Sequence, residues 1–360
     1  MSAREKVKRW IRPSILAASV YKVPDADGLI KLDAMENPYT WPGEIKRAWL
    51  DELWHIDLNR YPDAGAGVLK ERLREVMAIP PSVPILLGNG SDEIIQILVM
   101  AMAQQGSVFL APEPGFVMYR VIVEAIGAKF IGVPLREDFS LDRSAMLVAI
   151  EQQQPALVFL AWPNNPTGNL FDRDSVHAVI EAAPGLVVMD EAYYAFAGES
   201  FLDCLGRYDN LLVMRTLSKL GLAGLRLGIL AGSETWLDEL EKVRLPYNIS
   251  TLTQKSVEFI CRHIHVLDQQ VQQIQQDRDR LLISMVALPH VHVWPSQANF
   301  VLFRVENKDA NSIFTGLKNR GVLIKNLHGS HPMLQDCLRV TVGTEKENSL
   351  FMGALSELVS

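Results

Sequence analysis

Residues 214–232 read MRTLSKLGLAGLRLGILAG, and their placement decides the fold. An apolar run ends at Thr216, Ser218 and Lys219 follow at once, and Arg226 precedes a second apolar run. A lysine directly after a buried strand is most simply a solvated loop residue. The chain repeats the arrangement too often for that reading to be complete.

From about residue 85, short aliphatic runs alternate with longer amphipathic ones. PILLG is followed by SDEIIQILVMAMAQ, SVFLAPEP by MYRVIVEAIGA, and PALVFLAWP by SVHAVIEAA; then come GLVVMDEAY, NLLVMRTLS and LRLGILAG. Strand periods alternating with helix periods predict an α/β fold with a mostly parallel sheet flanked by helices. After about residue 234 the helical TWLDELEKVRL and TLTQKSVEFICRHIH lead into VHVWPS, NFVLFRV, NSIFTGLKNR and CLRVTVG, a smaller α+β unit. The stretch QQVQQIQQDRDR, 269–280, carries Val271 and Ile274 at helical spacing and predicts a partly exposed helix. The first three dozen residues are too few to fold alone. They predict an arm lying on the smaller unit or on a neighbouring subunit.

Composition bounds the function. The chain has 360 residues, 48% hydrophobic and 21% charged, enough for a large core split between two domains. A net charge of −7 and a pI near 5.7 leave no diffuse basic face for nucleic acid and no membrane-binding lysine block. The three cysteines, Cys204, Cys261 and Cys337, are odd in number and far apart, so neither a disulfide framework nor a metal site is expected. The basic N-terminus has a short apolar run broken by Pro13, unlike a signal peptide or a membrane span, which predicts a cytoplasmic protein.

In open α/β sheets ligands sit beyond the carboxyl ends of the strands. There the chain places GNGSDE, APEPGF, WPNNPTG, MDEAYY and TLSK. GNGSDE opens a helix, so the amides near Ser91 and Asp92 would face an anion, although Ser91 could equally be only a helix cap. Asp190 follows a continuous apolar strand, where a buried carboxylate needs a cationic or strongly donating partner. Asn165 lies in a turn-forming WPNNPTG that also ends a buried strand. An amine at Lys219, a carboxylate at Asp190 and anion clamps at Ser91, Ser218 and Arg226 are together what pyridoxal phosphate chemistry requires.

The blocks LDAMENPY, NRYPD, GNGSDE, WPNNPTG, DEAYY, TLSKLGLAGLRLG and CLRVTVGT span nearly the whole chain. In order and spacing they resemble the fold-type I pyridoxal-phosphate aminotransferases, most closely the histidinol-phosphate aminotransferase family. The resemblance implies an arm at 1–36 that also forms part of the small domain, a large cofactor-binding domain at 37–250 and a small domain at 251–360. It makes Lys219 the imine-forming lysine and proton shuttle, and Asp190 the partner of the pyridinium nitrogen. Asn165 and Tyr193 would bond the phenolic oxygen, and Phe116 would stack on the ring where many members have tyrosine. Ser218, Arg226, the amides at Ser91 and Asp92, and Thr216 nearby would hold the phosphate. Tyr61 would reach it from the other subunit of a homodimer.

By the same resemblance Arg339 grips the substrate's anionic end, glutamate or 2-oxoglutarate in one half-reaction and histidinol phosphate in the other. Lys325 stands where the family often has a second basic group, and is otherwise an ordinary solvated lysine. Glu36 and Asn37 would meet the substrate's side chain, with the arm around Tyr21 closing over the site. The loop from Lys219 to Arg226 is one residue shorter than in many members, so its turn must tighten. Two other enzymes of this fold remain open. One is a phosphothreonine decarboxylase; the other is an aromatic amino acid transaminase with Phe116, Trp162 and Tyr193 lining an apolar pocket. A cofactor-free binding protein would be expected to lack the lysine or the aspartate, and both are present.

Overall fold

A computed structural model describes residues 1–20 and 23–360; Tyr21 lies outside the described residues. Seven strands form the central sheet, in the order Ile85–Asn89, Leu227–Gly232, Leu211–Thr216, Leu186–Asp190, Leu157–Ala161, Val108–Glu113 and Lys129–Pro134. All neighbours are parallel except those of Leu227–Gly232, which runs antiparallel to both its partners. The expected mostly parallel sheet is therefore present. The three middle strands are buried along their length because both faces are covered, and all but their ends are apolar.

Alternation along each strand sorts its side chains between two cores. Leu157, Phe159 and Ala161 face the helices Ser91–Met102, Val117–Ile126 and Glu234–Glu241. Val158, Leu160 and Trp162 face the helices Arg143–Gln153 and Arg173–Ala182. Register then aligns the strand ends: Ala161 pairs with Asp190, and Asp190 with Met214. The segments that follow these three strands consequently emerge at one edge.

The C-terminal part holds an antiparallel sheet ordered Lys325–Asn326, Cys337–Thr341, Phe300–Val305, Val291–Val293, packed on the helices Ile264–Val286, Ala310–Asn319 and Glu345–Val359. Val271 and Ile274 of the long helix are buried in its core. All three cysteines are free and buried.

The N-terminal segment touches both units of the chain. The side chain of Arg12 donates to the carbonyls of Ala125 and Ile126, 3.0 and 2.7 Å away, at the end of a large-sheet helix of the same chain. Those carbonyls have no partner within their own helix, so a guanidinium satisfies them cheaply. Only farther on does the segment meet the smaller unit, where Ile30–Lys31 pairs in parallel with Val322–Leu323.

Behind the sheet edge, Glu191 and Arg215 form a buried ion pair at 2.9 Å. Glu191 also accepts from Ser200 and the Phe201 amide, while Arg215 donates to the Met77 carbonyl and lies 3.8 Å from the Tyr194 ring centroid. Glu191→Ala strands a guanidinium that cannot neutralise itself, and chemical denaturation should show a loss of roughly 3–5 kcal/mol. The apolar double replacement Glu191→Leu/Arg215→Met should recover much of it.

Candidate active site

Where the three middle strands end, a cavity of about 100 Å³ opens. Ten of the residues singled out from the sequence line it: Ser91, Asp92, Phe116, Asn165, Asp190, Tyr193, Thr216, Ser218, Lys219 and Arg226. Met35, Ala161, Pro163 and Ala192 complete its wall without having been singled out.

Asp190 is buried at the floor. Its Oδ2 accepts from the Tyr119 hydroxyl at 2.5 Å, and its Oδ1 from the Ala192 amide at 3.1 Å. Burial pushes its pKa up to about 6, and the two hydrogen bonds pull the other way. Lys219 extends from a short 3-10 turn, Ser218–Leu220, and its Nζ donates to the Ala34 carbonyl at 3.3 Å. Burial lowers its pKa to about 8, assisted by the nearby Arg339 cation. Its amine is thus partly neutral, and nucleophilic, at a pH where a solvated lysine is fully charged.

Asn165 joins two parts of the site. Its amide nitrogen donates to the Tyr193 hydroxyl at 3.2 Å, and its oxygen accepts from Arg339 at 2.5 Å. Arg339 is buried, comes from the small-domain strand Cys337–Thr341, and also donates to the Asp33 carbonyl. The tight ladder places Lys325 directly opposite Arg339, so the two cations share a face of that sheet.

At the other end Gly90 caps the helix Ser91–Met102, so Ser91 is the first helical residue and its side chain caps nothing. The leading amides of that helix lack intrahelical partners and carry the positive end of the dipole. Arg226 reaches the same corner from a second 3-10 turn, Ala223–Leu225, in the left-handed region at φ 49°. This is how the short loop closes. Arg226 lies 3.4 Å from the Ser218 hydroxyl and 3.3 Å from Asp92, and Thr216 donates to Ser218 at 3.0 Å. Glycine is required twice: a Cβ on Gly90 would sit 2.5 Å from Arg226, and one on Gly228 would sit 2.7 Å from the Ser91 nitrogen. The residues present fit pyridoxal phosphate, with donors for its phosphate at one end, a carboxylate for its ring nitrogen at the other, and an amine for its aldehyde.

Other expected residues lie elsewhere. Tyr61 is 82% exposed and stacks on Tyr247 with centroids 4.6 Å apart. Glu36 pairs with Lys31 at 2.5 Å. The Asn37 amide is spent on the Leu220 carbonyl and Gln270, which makes it a tie between segments. Trp162, considered for an aromatic pocket, instead points into the far core, edge-on to Phe201 and bonded to the Phe171 carbonyl. It follows Ala161 on the alternating strand, so Ala161 faces the cavity and Trp162 cannot. Tyr119 is the main residue that sequence reading passed over, although it lies four positions before Val123 on the buried face of its helix.

The model of the aminotransferase class I and II family matches residues 27–355. Histidinol-phosphate aminotransferase 2 of Nitrosococcus oceani is 56% identical over 352 residues, 98% of each chain. The histidinol-phosphate aminotransferase of Chromobacterium violaceum is 51% identical, covering 97% of this chain and 98% of that one. Among solved structures, the histidinol-phosphate aminotransferase of Sinorhizobium meliloti in complex with pyridoxal-5'-phosphate superimposes with a TM-score of 0.86, at 23% identity over 97% of each chain.

The lowered Lys219 pKa has a measurable sign in the cofactor-free protein. Between about pH 8 and 10.5 the unfolded chain holds a proton that folded Lys219 has released. Wild type should therefore gain stability relative to Lys219→Met as pH rises through that window, by up to roughly 3 kcal/mol. A constant difference across the window would contradict the assignment.

Proposed function

The chain belongs to the class I and II aminotransferases, and on that premise we propose that it moves the amino group of L-histidinol phosphate to 2-oxoglutarate. The products are imidazole-acetol phosphate and L-glutamate, as in histidine biosynthesis. The observation that supports the reading is buried Arg339, which donates to Asn165 of the cavity wall and lies near enough to Lys219 to help lower its pKa; Lys325 is its cross-strand partner. Relatives about half identical over their whole length bear the histidinol-phosphate aminotransferase name.

Pyridoxal phosphate, when bound, supplies an aldehyde to take up the amino group and a protonated ring that draws electrons from the substrate Cα–H bond. Asp190 would accept from the ring N–H and keep it protonated. Asn165 and Tyr193 donate to the phenolic oxygen, and the Arg339 contact fixes the amide so that its NH₂ faces Tyr193. Ser218, Arg226 and the helix N-terminus at Ser91 and Asp92 bind the phosphate, while Phe116 covers a ring face. Thr216 orients the Ser218 hydroxyl. With the cofactor bound, Lys219 would take the proton from substrate Cα and hold it for return as the amino group moves. Arg339 binds carboxylate or phosphate through its planar fork, and Lys325 adds charge for the phosphate. Glu36 and the arm around Tyr21 are assigned to the imidazole end.

We assign a homodimer with shared sites. Trp54, Leu58, Tyr61 and Leu245 leave a broad apolar surface exposed, and Tyr61 is outside its own cavity. No helix among the described residues is long and apolar enough to cross a membrane, and the assigned compartment is the cytoplasm.

Kinetics test the substrate assignment. Arg339→Leu should raise KM for L-histidinol phosphate by about 10²-fold or more, the worth of a charged hydrogen-bonded contact. Lys325→Gln should weaken the phosphorylated substrate more than glutamate. Equal effects on both substrates would remove Lys325 from the phosphate subsite. Mixing Tyr61→Ala with Lys219→Ala subunits should restore up to about a quarter of wild-type activity, because random pairing leaves one intact site in half the dimers. No recovery would refute shared sites.

A further inference from the structure

Tyr119 is fully enclosed, and its ring lies parallel to Phe159 at 4.4 Å, with a 3° interplanar angle. Phe116 meets it edge-on at 5.4 Å. Those contacts leave the hydroxyl one direction, toward Asp190 Oδ2. The ring packing would be served equally by phenylalanine, whereas a buried hydroxyl carries a desolvation cost that only its hydrogen bond offsets.

We propose that Tyr119 is a positioning residue for Asp190, whose buried hydroxyl fixes the carboxylate's orientation and holds it ionised so that it can accept from a protonated ring nitrogen. The inference rests on the transaminase reading for its consequence, but its geometry belongs to the protein alone. Each Asp190 oxygen receives one donor from the protein, Oδ1 from the Ala192 amide and Oδ2 from Tyr119. Each keeps one lone pair for a ligand. A donor hydroxyl favours the charged carboxylate, which is the stronger acceptor.

Asp92, from the helix Ser91–Met102, and Glu191, the next residue, are both acidic and push Asp190 toward its neutral form, as does burial. Burial also drives the Tyr119 hydroxyl well above its usual pKa, reinforced by the Asp190 charge, so it remains a donor across the working range. Tyr193 is likewise held protonated by burial. Tyr119 and the Ala192 amide are the donors that oppose these effects, and only Tyr119 can be altered by substitution.

The test is Tyr119→Phe in the full-length protein, compared with Phe159→Leu, which disturbs the ring stack and keeps the hydroxyl. Carboxyl-labelled aspartate NMR on the cofactor-free protein follows Asp190, assigned by the resonance lost in Asp190→Asn. Tyr119→Phe should move the Asp190 midpoint from about 6 upward by one pH unit or more, and Phe159→Leu should leave it in place. With ring-¹⁵N pyridoxal phosphate bound, Tyr119→Phe should release the ring proton at lower pH than wild type, and kcat should fall more than KM rises. An unchanged Asp190 midpoint in Tyr119→Phe, or an equal displacement in Phe159→Leu, would overturn the proposal. Failure of wild type to bind the cofactor would instead sink the transaminase reading, and the cofactor-free titration would still decide the role of Tyr119.

Discussion

A carboxylate kept charged inside a low-dielectric core is the constraint on which the rest of this molecule depends. Asp190 ends a strand covered on both faces, so water cannot solvate it and burial alone would neutralise it. The surrounding structure answers with two donated hydrogen bonds, from the Tyr119 hydroxyl and the Ala192 amide. The parallel register then decides what else can meet that carboxylate. Because Ala161, Asp190 and Met214 are cross-strand partners, the Asn165 turn and the Ser218–Lys219 turn open onto the same space.

The second constraint is convergence between domains. Arg339 arrives from the small antiparallel sheet, and the segment around Ala34 and Met35 is pinned between the two units. Met35 donates its amide to Thr341 and its carbonyl accepts from Asn299, while the neighbouring Ala34 carbonyl receives the Lys219 amine. Lys219 and Arg339 are therefore positioned through one short strap, not through the large sheet alone. Backbone carbonyls suit this task because their positions follow from the strand pairing at Ile30–Lys31.

Much of this was legible in the sequence, for identifiable reasons. Alternation between periods of two and 3.6 announced the sheet and its helices, and the polar loops at strand ends announced its edge. Lys219, Asp190 and Arg226 stood out because charged groups directly beside buried strands need a chemical reason. Tyr119 did not, because a tyrosine on the apolar face of a helix looks like ordinary core, and only its hydroxyl distinguishes it. Trp162 misled by the opposite route: it adjoins the site in sequence, but a one-residue step along a strand turns it to the other face. No periodicity identifies which carbonyls Arg12 caps. Met35, held at φ 53°, carries no local signal for its conformation.

The most direct measurement is transfer of ¹⁵N from labelled L-histidinol phosphate to 2-oxoglutarate by the pyridoxal phosphate-loaded protein, run beside L-phenylalanine and L-threonine O-phosphate. The account predicts ¹⁵N-glutamate from histidinol phosphate at the highest kcat/KM of the three, with no carbon dioxide from phosphothreonine. Label that stays on histidinol phosphate while phenylalanine reacts, or carbon dioxide released from phosphothreonine, would contradict it.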